Sequence, residues 1–207
     1  MTDLFISAFV TLFVVIDPIG VAPIFGAMTS GAPPAQARAM ALRAAVTAAL
    51  ILFVFATLGE RLLGALGIGL DSFRIAGGIM LFLIALEMVF EKRTERREQR
   101  AEKVRATPAV EDVSVFPLAI PMIAGPGAIA TVMLLMARAE GTAHSLVVLG
   151  ALALILLLTA AALVAAGPIL RILGDRAEAV ITRLLGVILA ALAAQYVIDG
   201  IRSAFTA

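Results

Sequence analysis

The chain has 207 residues, of which 62% are hydrophobic and 15% are charged. A soluble domain has about 45–50% apolar and about 25% charged residues, so this composition indicates an integral membrane protein. Cysteine is absent and His144 is the one histidine, which excludes disulfides, thiolate metal sites and cysteine nucleophiles. The formal net charge of +1 indicates no particular class of partner.

Six apolar runs are long enough to cross a membrane, which takes about 20 mostly apolar residues. They cover residues 4–28, 39–59, 73–90, 113–137, 145–170 and 184–204. The N-terminus has no basic residue ahead of the first run, so we expect a retained segment and not a cleaved signal peptide. The sequence therefore predicts an all-α membrane protein with six transmembrane helices. The chain is expected to have three parts: a first unit of three helices at 1–90, a charged linker at 91–112, and a second unit of three helices at 113–207.

Charge placement predicts the orientation of these spans. Twelve of the 16 lysines and arginines fall on the side of the 1–2, 3–4 and 5–6 loops, and most of them lie in the charged linker. By the positive-inside rule that side is cytoplasmic, and both termini are extracytoplasmic. The linker mixes both signs and lacks aromatic residues, so we expect it to lie against anionic lipid headgroups and to bind no nucleic acid.

The first apolar run is interrupted by Asp17, Pro18 and Gly20. Proline removes a backbone donor, and inside lipid the freed backbone groups must find partners or line a cavity. An aspartate at the N-cap followed by proline at the first helical position is a common helix start. We therefore expect a new half-helix from Pro18, with the Asp17 side chain accepting hydrogen bonds from its free amides.

A counterpart to this break lies 108 residues later, at Gly125 to Ala128, where glycine replaces the carboxylate. Near the same offset, an Arg-x-x-Gly-x-Ile pattern starts at Arg74 and again at Arg183. Each half thus contains a broken helix, a plain helix and an Arg-x-x-Gly helix. Three spans is an odd number, so the second copy enters the membrane from the opposite side. The sequence predicts two inverted-topology repeats, with helices 1 and 4 discontinuous, as in many secondary transporters.

The two breaks together predict a binding site for a small zwitterion. Free amides and the positive dipole end of the second half-helix favour a carboxylate, whereas Asp17 favours an ammonium group or a coupling cation. A role for Asp17 as a helix cap alone is the alternative. The candidate substrate-binding residues are Asp17, Pro18, Ile19, Gly20, Gly125, Pro126, Gly127, Ala128 and Thr131.

The remaining polar and special residues within the spans have simpler expected roles. Pro23, Pro117 and Pro121 are expected to kink the chain or to help it pack. Small residues in the Arg-x-x-Gly helices, namely Gly77, Gly78 and Gly186, are expected to allow close helix approach. Asp199 and Glu87, near span ends, are expected to be solvated or paired with arginine. Gln195 and Tyr196 are expected to form hydrogen bonds between helices.

These motifs resemble the MarC family of bacterial and archaeal membrane proteins. The resemblance rests on Ile16 to Gly20, on the Pro/Gly pattern of 116–128, and on the Arg-x-x-Gly helices, including Ala194-Gln195 and Asp199-Gly200-Ile201. It covers essentially the whole chain. It implies six spans in two inverted repeats and transport of small neutral amino acids such as glycine and alanine, as in the SnatA-type members. The long, arginine-rich linker departs from the family pattern.

The expected function is therefore secondary transport of small neutral amino acids across the bacterial inner membrane. Coupling to protons or sodium is expected, with no other cofactor and no metal. An enzyme is not expected, because a lone histidine provides neither a catalytic dyad with an ordering partner nor a metal-ligand cluster. The alternatives are a channel, an exporter of another small solute, and a membrane module that transports nothing. Helix breaks at matching positions in the two halves favour a transporter over a module that transports nothing. Saturable uptake would distinguish a transporter from a channel.

Overall fold

The computed structural model describes residues 1–90 and 112–206, together with residues 92, 98, 99 and 102. The elements in chain order are α1 (Thr2–Ile16), α2 (Pro18–Met28), α3 (Pro34–Ala65), α4 (Leu70–Val89), an irregular proline-rich segment (Ser114–Ile123), α5 (Pro126–Ala137), α6 (Thr142–Val164) and α7 (Ala166–Thr206). No strand occurs within these described ranges, so the predicted all-α class is confirmed there. The charged linker lies almost entirely outside the described residues.

Five helical stretches are long and apolar enough to cross a membrane: α1 with α2, α3, α4, α6, and residues 179–205 of α7. The proline-rich segment and α5 are bent by 53° and make a sixth when counted as one span. Large apolar side chains on the outside of these helices, such as Leu50, Leu157 and Leu184, are more than half exposed. An apolar outer surface of this extent suits contact with lipid.

The connection between the last two spans is helical, whereas the sequence predicted a loop. The predicted loop lay between residues 170 and 184, but α6 ends at Val164 and α7 begins at Ala166. The charges in this stretch lower its hydropathy without stopping a helix, because residues 169–183 contain a single glycine, no proline and many strong helix formers. Pro168 falls in the first turn of α7, where proline is tolerated.

The proline-rich segment owes its irregular shape to Pro117 and Pro121. Proline has no backbone donor and disfavours helical geometry at the residue before it. Those preceding residues, Phe116 and Ile120, are extended, with φ of −127° at both and ψ of 128° and 124°. The predicted kinks at the two prolines are therefore present.

Helices of the two halves are interleaved. The segments α1 and α2 pack against α6 and α7, and the proline-rich segment and α5 pack against α3 and α4. The helices α4 and α7 form the most extensive interface of the molecule, and α3 packs against α6. The initial segments of each half thus pack on later helices of the other half.

Buried positions recur between the halves at a nearly constant spacing. In α4 and α7 the spacing is 108 residues, the same as between Pro18 and Pro126. The buried pairs are Gly78 and Gly186, Leu81 and Leu189, Ala85 and Ala193, and Met88 and Tyr196. In α3 and α6 the spacing is 107, and the buried pairs are Ala41 and Val148, Ala44 and Ala151, Ala45 and Leu152, Ala48 and Ile155, Leu52 and Thr159, and Ala56 and Leu163. Corresponding helices therefore bury corresponding faces.

The contact between α4 and α7 is reciprocal. A β-carbon built on Gly78 would lie 2.7 Å from Val197 Cγ2 and 2.9 Å from the Ala193 carbonyl oxygen. On Gly186 it would lie 3.1 Å from both Val89 Cγ2 and the Ala85 carbonyl oxygen. Residues early in one helix thus touch residues late in the other, so the two helices are antiparallel. The expected role of Gly78 and Gly186 in close helix approach is confirmed.

We expect Gly78→Ala and Gly186→Ala to destabilise the protein to a similar degree, each by about 1–3 kcal/mol, because each new methyl group meets a backbone carbonyl that cannot rotate away. The measurement is the thermal unfolding midpoint in detergent. Gly150→Ala is the matched control, since a β-carbon there meets nothing within 4 Å and alanine is the better helix former. Equal midpoints for all three variants would contradict the tight contact between α4 and α7.

Candidate functional site

Asp17 forms the first break. It ends α1 and begins α2 with φ 58° and ψ 64°, in the left-handed region that aspartate tolerates better than most residues. Its Oδ1 accepts a hydrogen bond from the Gly20 backbone N–H at 3.0 Å, and its own N–H donates to the Phe13 carbonyl at 2.9 Å. The side chain is almost completely buried, with 1% of the residue exposed. The predicted helix cap is confirmed.

Gly20 is part of the same cap. A β-carbon at this position would lie 2.4 Å from Oδ2 of Asp17 and 2.9 Å from its Cγ. The carboxylate therefore occupies the space in which any other residue would place its side chain. This explains why a glycine stands three residues after the aspartate.

The second break has no carboxylate. Gly125 is the N-cap of α5 in an extended conformation, and its carbonyl accepts from Ile129 N–H at 3.0 Å. No side chain of the described residues caps this helix start, and the adjoining Gly127 and Ala128 are buried. The first turn of α5 thus presents the positive end of the helix dipole inside the protein. A β-carbon at Gly125 would lie 2.4 Å from the Pro121 carbonyl oxygen, so the proline-rich segment folds tightly against this turn.

The end of α1, just before the first break, lies beside the start of α5. A β-carbon built on Gly127 would lie 3.7 Å from Cγ1 of Val15, which is two residues before Asp17. The same position lies 2.4 Å from Ile84 Cδ1 and 3.7 Å from Leu81 Cδ2, both on α4. The end of α1 and the start of α5 therefore lie together beside an apolar wall. The sequence did not point to this wall, because nothing distinguishes its three residues from other apolar residues of the spans.

Thr131, the last predicted site residue, is fully buried and its hydroxyl has no hydrogen-bond partner among the described residues. Other threonines within the helices behave differently. The hydroxyls of Thr11, Thr29 and Thr159 each donate to the carbonyl four residues earlier, at 2.7–2.8 Å. Buried hydroxyls normally have partners, so the Thr131 hydroxyl is a polar group available to a ligand.

A charged cluster that the sequence did not predict joins α5 to α7. Arg138, directly after α5, forms an ion pair with Asp199, and its guanidinium lies 4.6 Å from the centre of the Tyr196 ring. The expectation that Asp199 pairs with an arginine is confirmed. Gln195 was expected to bond between helices, but its amide donates to Asp199 of its own helix at 2.6 Å. The sequence shows an arginine at the end of one span and an aspartate near the end of another. Nothing in the sequence indicates that these two residues pair with each other.

A second ion pair lies where the proline-rich segment begins. Arg43 of α3 contacts Asp112 at 2.7 Å, and both side chains are about half exposed. The neighbouring Ser114, whose backbone N–H donates to Asp112 at 3.0 Å, and the Arg43 charge hold the pKa of Asp112 below its ordinary value, while partial burial opposes them. Because this pair is well hydrated, we expect its contribution to stability to be small.

The model of the MarC family, described as integral membrane proteins, matches residues 2–205. The UPF0056 membrane protein MJ1677 of Methanocaldococcus jannaschii is 37% identical over 200 residues, covering 97% of each chain. In Escherichia coli, the UPF0056 membrane protein YhcE is 35% identical over 95% of this chain and 91% of its own length. The UPF0056 inner membrane protein YhgN is 36% identical over 95% of both chains. No solved structure matches the chain.

Proposed function

Because the chain belongs to the MarC family of multi-pass integral membrane proteins, we propose that it is a secondary transporter of small neutral amino acids. The observation that carries the proposal is the contact between the end of α1, which leads into the buried Asp17 carboxylate, and the buried start of α5, which has no carboxylate. The family resemblance supplies the substrate class, with glycine and alanine as its first candidates. The relative YhgN is an inner membrane protein by name, which supports the inner membrane as the location, and the positive-inside rule supports extracytoplasmic termini.

The architecture that we propose is a pair of inverted repeats with discontinuous first and fourth helices. Three observations support it: the buried faces that recur at 107 or 108 residues, the reciprocal glycine contacts of the antiparallel α4 and α7, and the interleaved packing of the two halves. In transporters of this type the site lies near the membrane midplane, where the discontinuous helices meet. Alternating access would move one set of helices against the other around that site.

Within the proposed site, the start of α5 binds the substrate carboxylate. The Gly127 and Ala128 amides and the helix dipole favour a negative charge there, and the buried Thr131 hydroxyl supplies a further donor. Asp17 supplies the opposite charge for the ammonium group or for a coupling ion, a proton or sodium. Pro18, Ile19 and Pro126 fix the two helix starts. A zwitterion with a short side chain matches both ends.

The apolar wall accounts for the proposed size limit. Val15, Leu81 and Ile84 converge on the first turn of α5, and Val15 and Leu81 are almost completely buried. A hydrogen atom or a methyl group can lie against such a wall, whereas a longer side chain would have to displace it. Discrimination by a hydrophobic surface amounts to about 10–200-fold per methylene.

Uptake by the purified protein in liposomes tests the proposal. We expect saturable uptake of labelled glycine or alanine that responds to an imposed proton or sodium gradient and accelerates when the same amino acid is present on the opposite side. Leucine and phenylalanine serve as matched substrates that are too large. Flux without saturation would instead indicate a channel, and a complete lack of flux for every neutral amino acid would refute the substrate class.

A further inference from the structure

One end of α5 is held by polar contacts that differ from the apolar packing of the rest of the helix. Arg138, the C-cap of α5, forms its ion pair with Asp199 and lies over the Tyr196 ring. Gln195 donates to the other oxygen of the same carboxylate. Two side chains of α7 thus contact Arg138, a third holds the carboxylate in place, and the cation–aromatic contact strengthens the ion pair.

The cluster lies at the opposite end of α5 from the helix break. The 12 residues of α5 rise about 18 Å at about 1.5 Å per residue. That distance is somewhat more than half of the roughly 30 Å hydrocarbon core. The break at Gly125 and the cluster at Arg138 lie at opposite ends of α5, so the proposed midplane position of the break would put the cluster near one membrane face.

The two sides of the cluster are anchored differently. Gly200, next to Asp199, packs so closely on α4 that a β-carbon there would lie 3.0 Å from the Asp71 carbonyl oxygen. This end of α7 is thus fixed to α4. The side chains of Arg138 and Asp199 are 35% and 31% exposed, so water can replace their mutual contact at small cost. The end of α5 is the partner that can separate.

We propose that the contact of Arg138 with Asp199 and Tyr196 is a gate, which closes the path between this membrane face and the helix breaks. When the ion pair opens, the end of α5 is released from α7 and can shift on α3 and α4, which cover its buried face. The inference rests on the proposed function only in taking the helix breaks as the place that a solute must reach. The ion pair of Arg43 and Asp112 is more exposed, and among the described residues the cation–aromatic contact is that of Arg138, so the gate belongs to one face only.

The absence of cysteine permits a direct test by accessibility. Thr131→Cys places a single thiol on the buried part of α5, between the break and the gate. Its reaction with a membrane-impermeant maleimide is followed in vesicles of each orientation, with no amino acid present. We expect Arg138→Gln and Asp199→Asn each to accelerate labelling from the α5 end by roughly fivefold or more, and from the other face by much less. The double variant should equal the faster single variant, because both changes break the same contact.

Two controls separate the gate from a general loosening of the fold. Asp71→Asn removes a carboxylate at the same face, but its partner Arg74 lies on the same helix, so labelling should not change. Arg138→Lys retains the positive charge, so Thr131→Cys should be labelled in this variant at nearly the same rate as without the Arg138 substitution. Unchanged labelling in the Arg138 and Asp199 variants, equal acceleration from both faces, or additive effects in the double variant would each overturn the gate. The labelling requires no substrate, so it can support the gate even if amino acid uptake is not found.

Discussion

Asp17→Asn is expected to reduce amino acid uptake by at least about tenfold, corresponding to about 1.4 kcal/mol, while the protein remains folded. Asparagine is as good an N-cap as aspartate and also tolerates left-handed backbone geometry. Its side-chain oxygen can therefore still accept the hydrogen bond from Gly20 N–H. What the substitution removes is the negative charge. The measurements are uptake in liposomes under imposed proton and sodium gradients and the thermal unfolding midpoint.

Asp17→Ala separates the two roles of this residue. It removes both the charge and the cap, so we expect the same loss of uptake plus a loss of about 1 kcal/mol in stability. Asp3→Asn is the matched control, because Asp3 is an exposed carboxylate in the first turn of α1. If Asp17→Asn left uptake and its ion dependence unchanged, Asp17 would be a cap alone, and the ammonium or cation would have to bind elsewhere.

Local chemistry made parts of this fold predictable from the sequence. The cap at Asp17, the start of α5 after Gly125 and the kinks before Pro117 and Pro121 each depend on residues within a few positions of one another. Backbone donors, φ restrictions and capping groups act at that range. The sequence could therefore identify where both helices start, and the all-α class followed from hydropathy.

Contacts between distant residues were not predictable in the same way. Arg138 and Asp199 are 61 residues apart in the chain, and the packing of both α5 and α7 on α4 brings them together. The apolar wall at Ile84 also depends on which face of α4 meets α5. The start of α7 was misplaced for another reason: hydropathy responds to charge, whereas a helix continues through charged residues that have high helix propensity.

The proline-rich segment supplies the second prediction with a large expected effect. Gly125→Ala is expected to lower stability by about 3 kcal/mol, at the upper end for overpacking, and to abolish uptake. The new methyl group would lie 2.4 Å from the Pro121 carbonyl oxygen. A backbone oxygen cannot rotate away, so either the segment or the first turn of α5 must move. Since this turn presents the amides to the substrate, such a movement also displaces the proposed carboxylate site. The measurements are the thermal unfolding midpoint in detergent and uptake of labelled alanine.

Gly127→Ala is a matched control two residues away. Its new methyl group would also meet an atom at 2.4 Å, but that atom is Cδ1 of Ile84, the end of a flexible side chain. A rotamer change of Ile84 relieves the contact at about 1 kcal/mol, and the additional Ile84→Val substitution should restore stability. A large loss of stability for Gly125→Ala, with a small loss for Gly127→Ala that Ile84→Val reverses, would establish that the Pro121 carbonyl holds the start of α5 in place. Equal and small losses of stability would contradict this, because the helix start would then be free to adjust and could not present its amides in a fixed position.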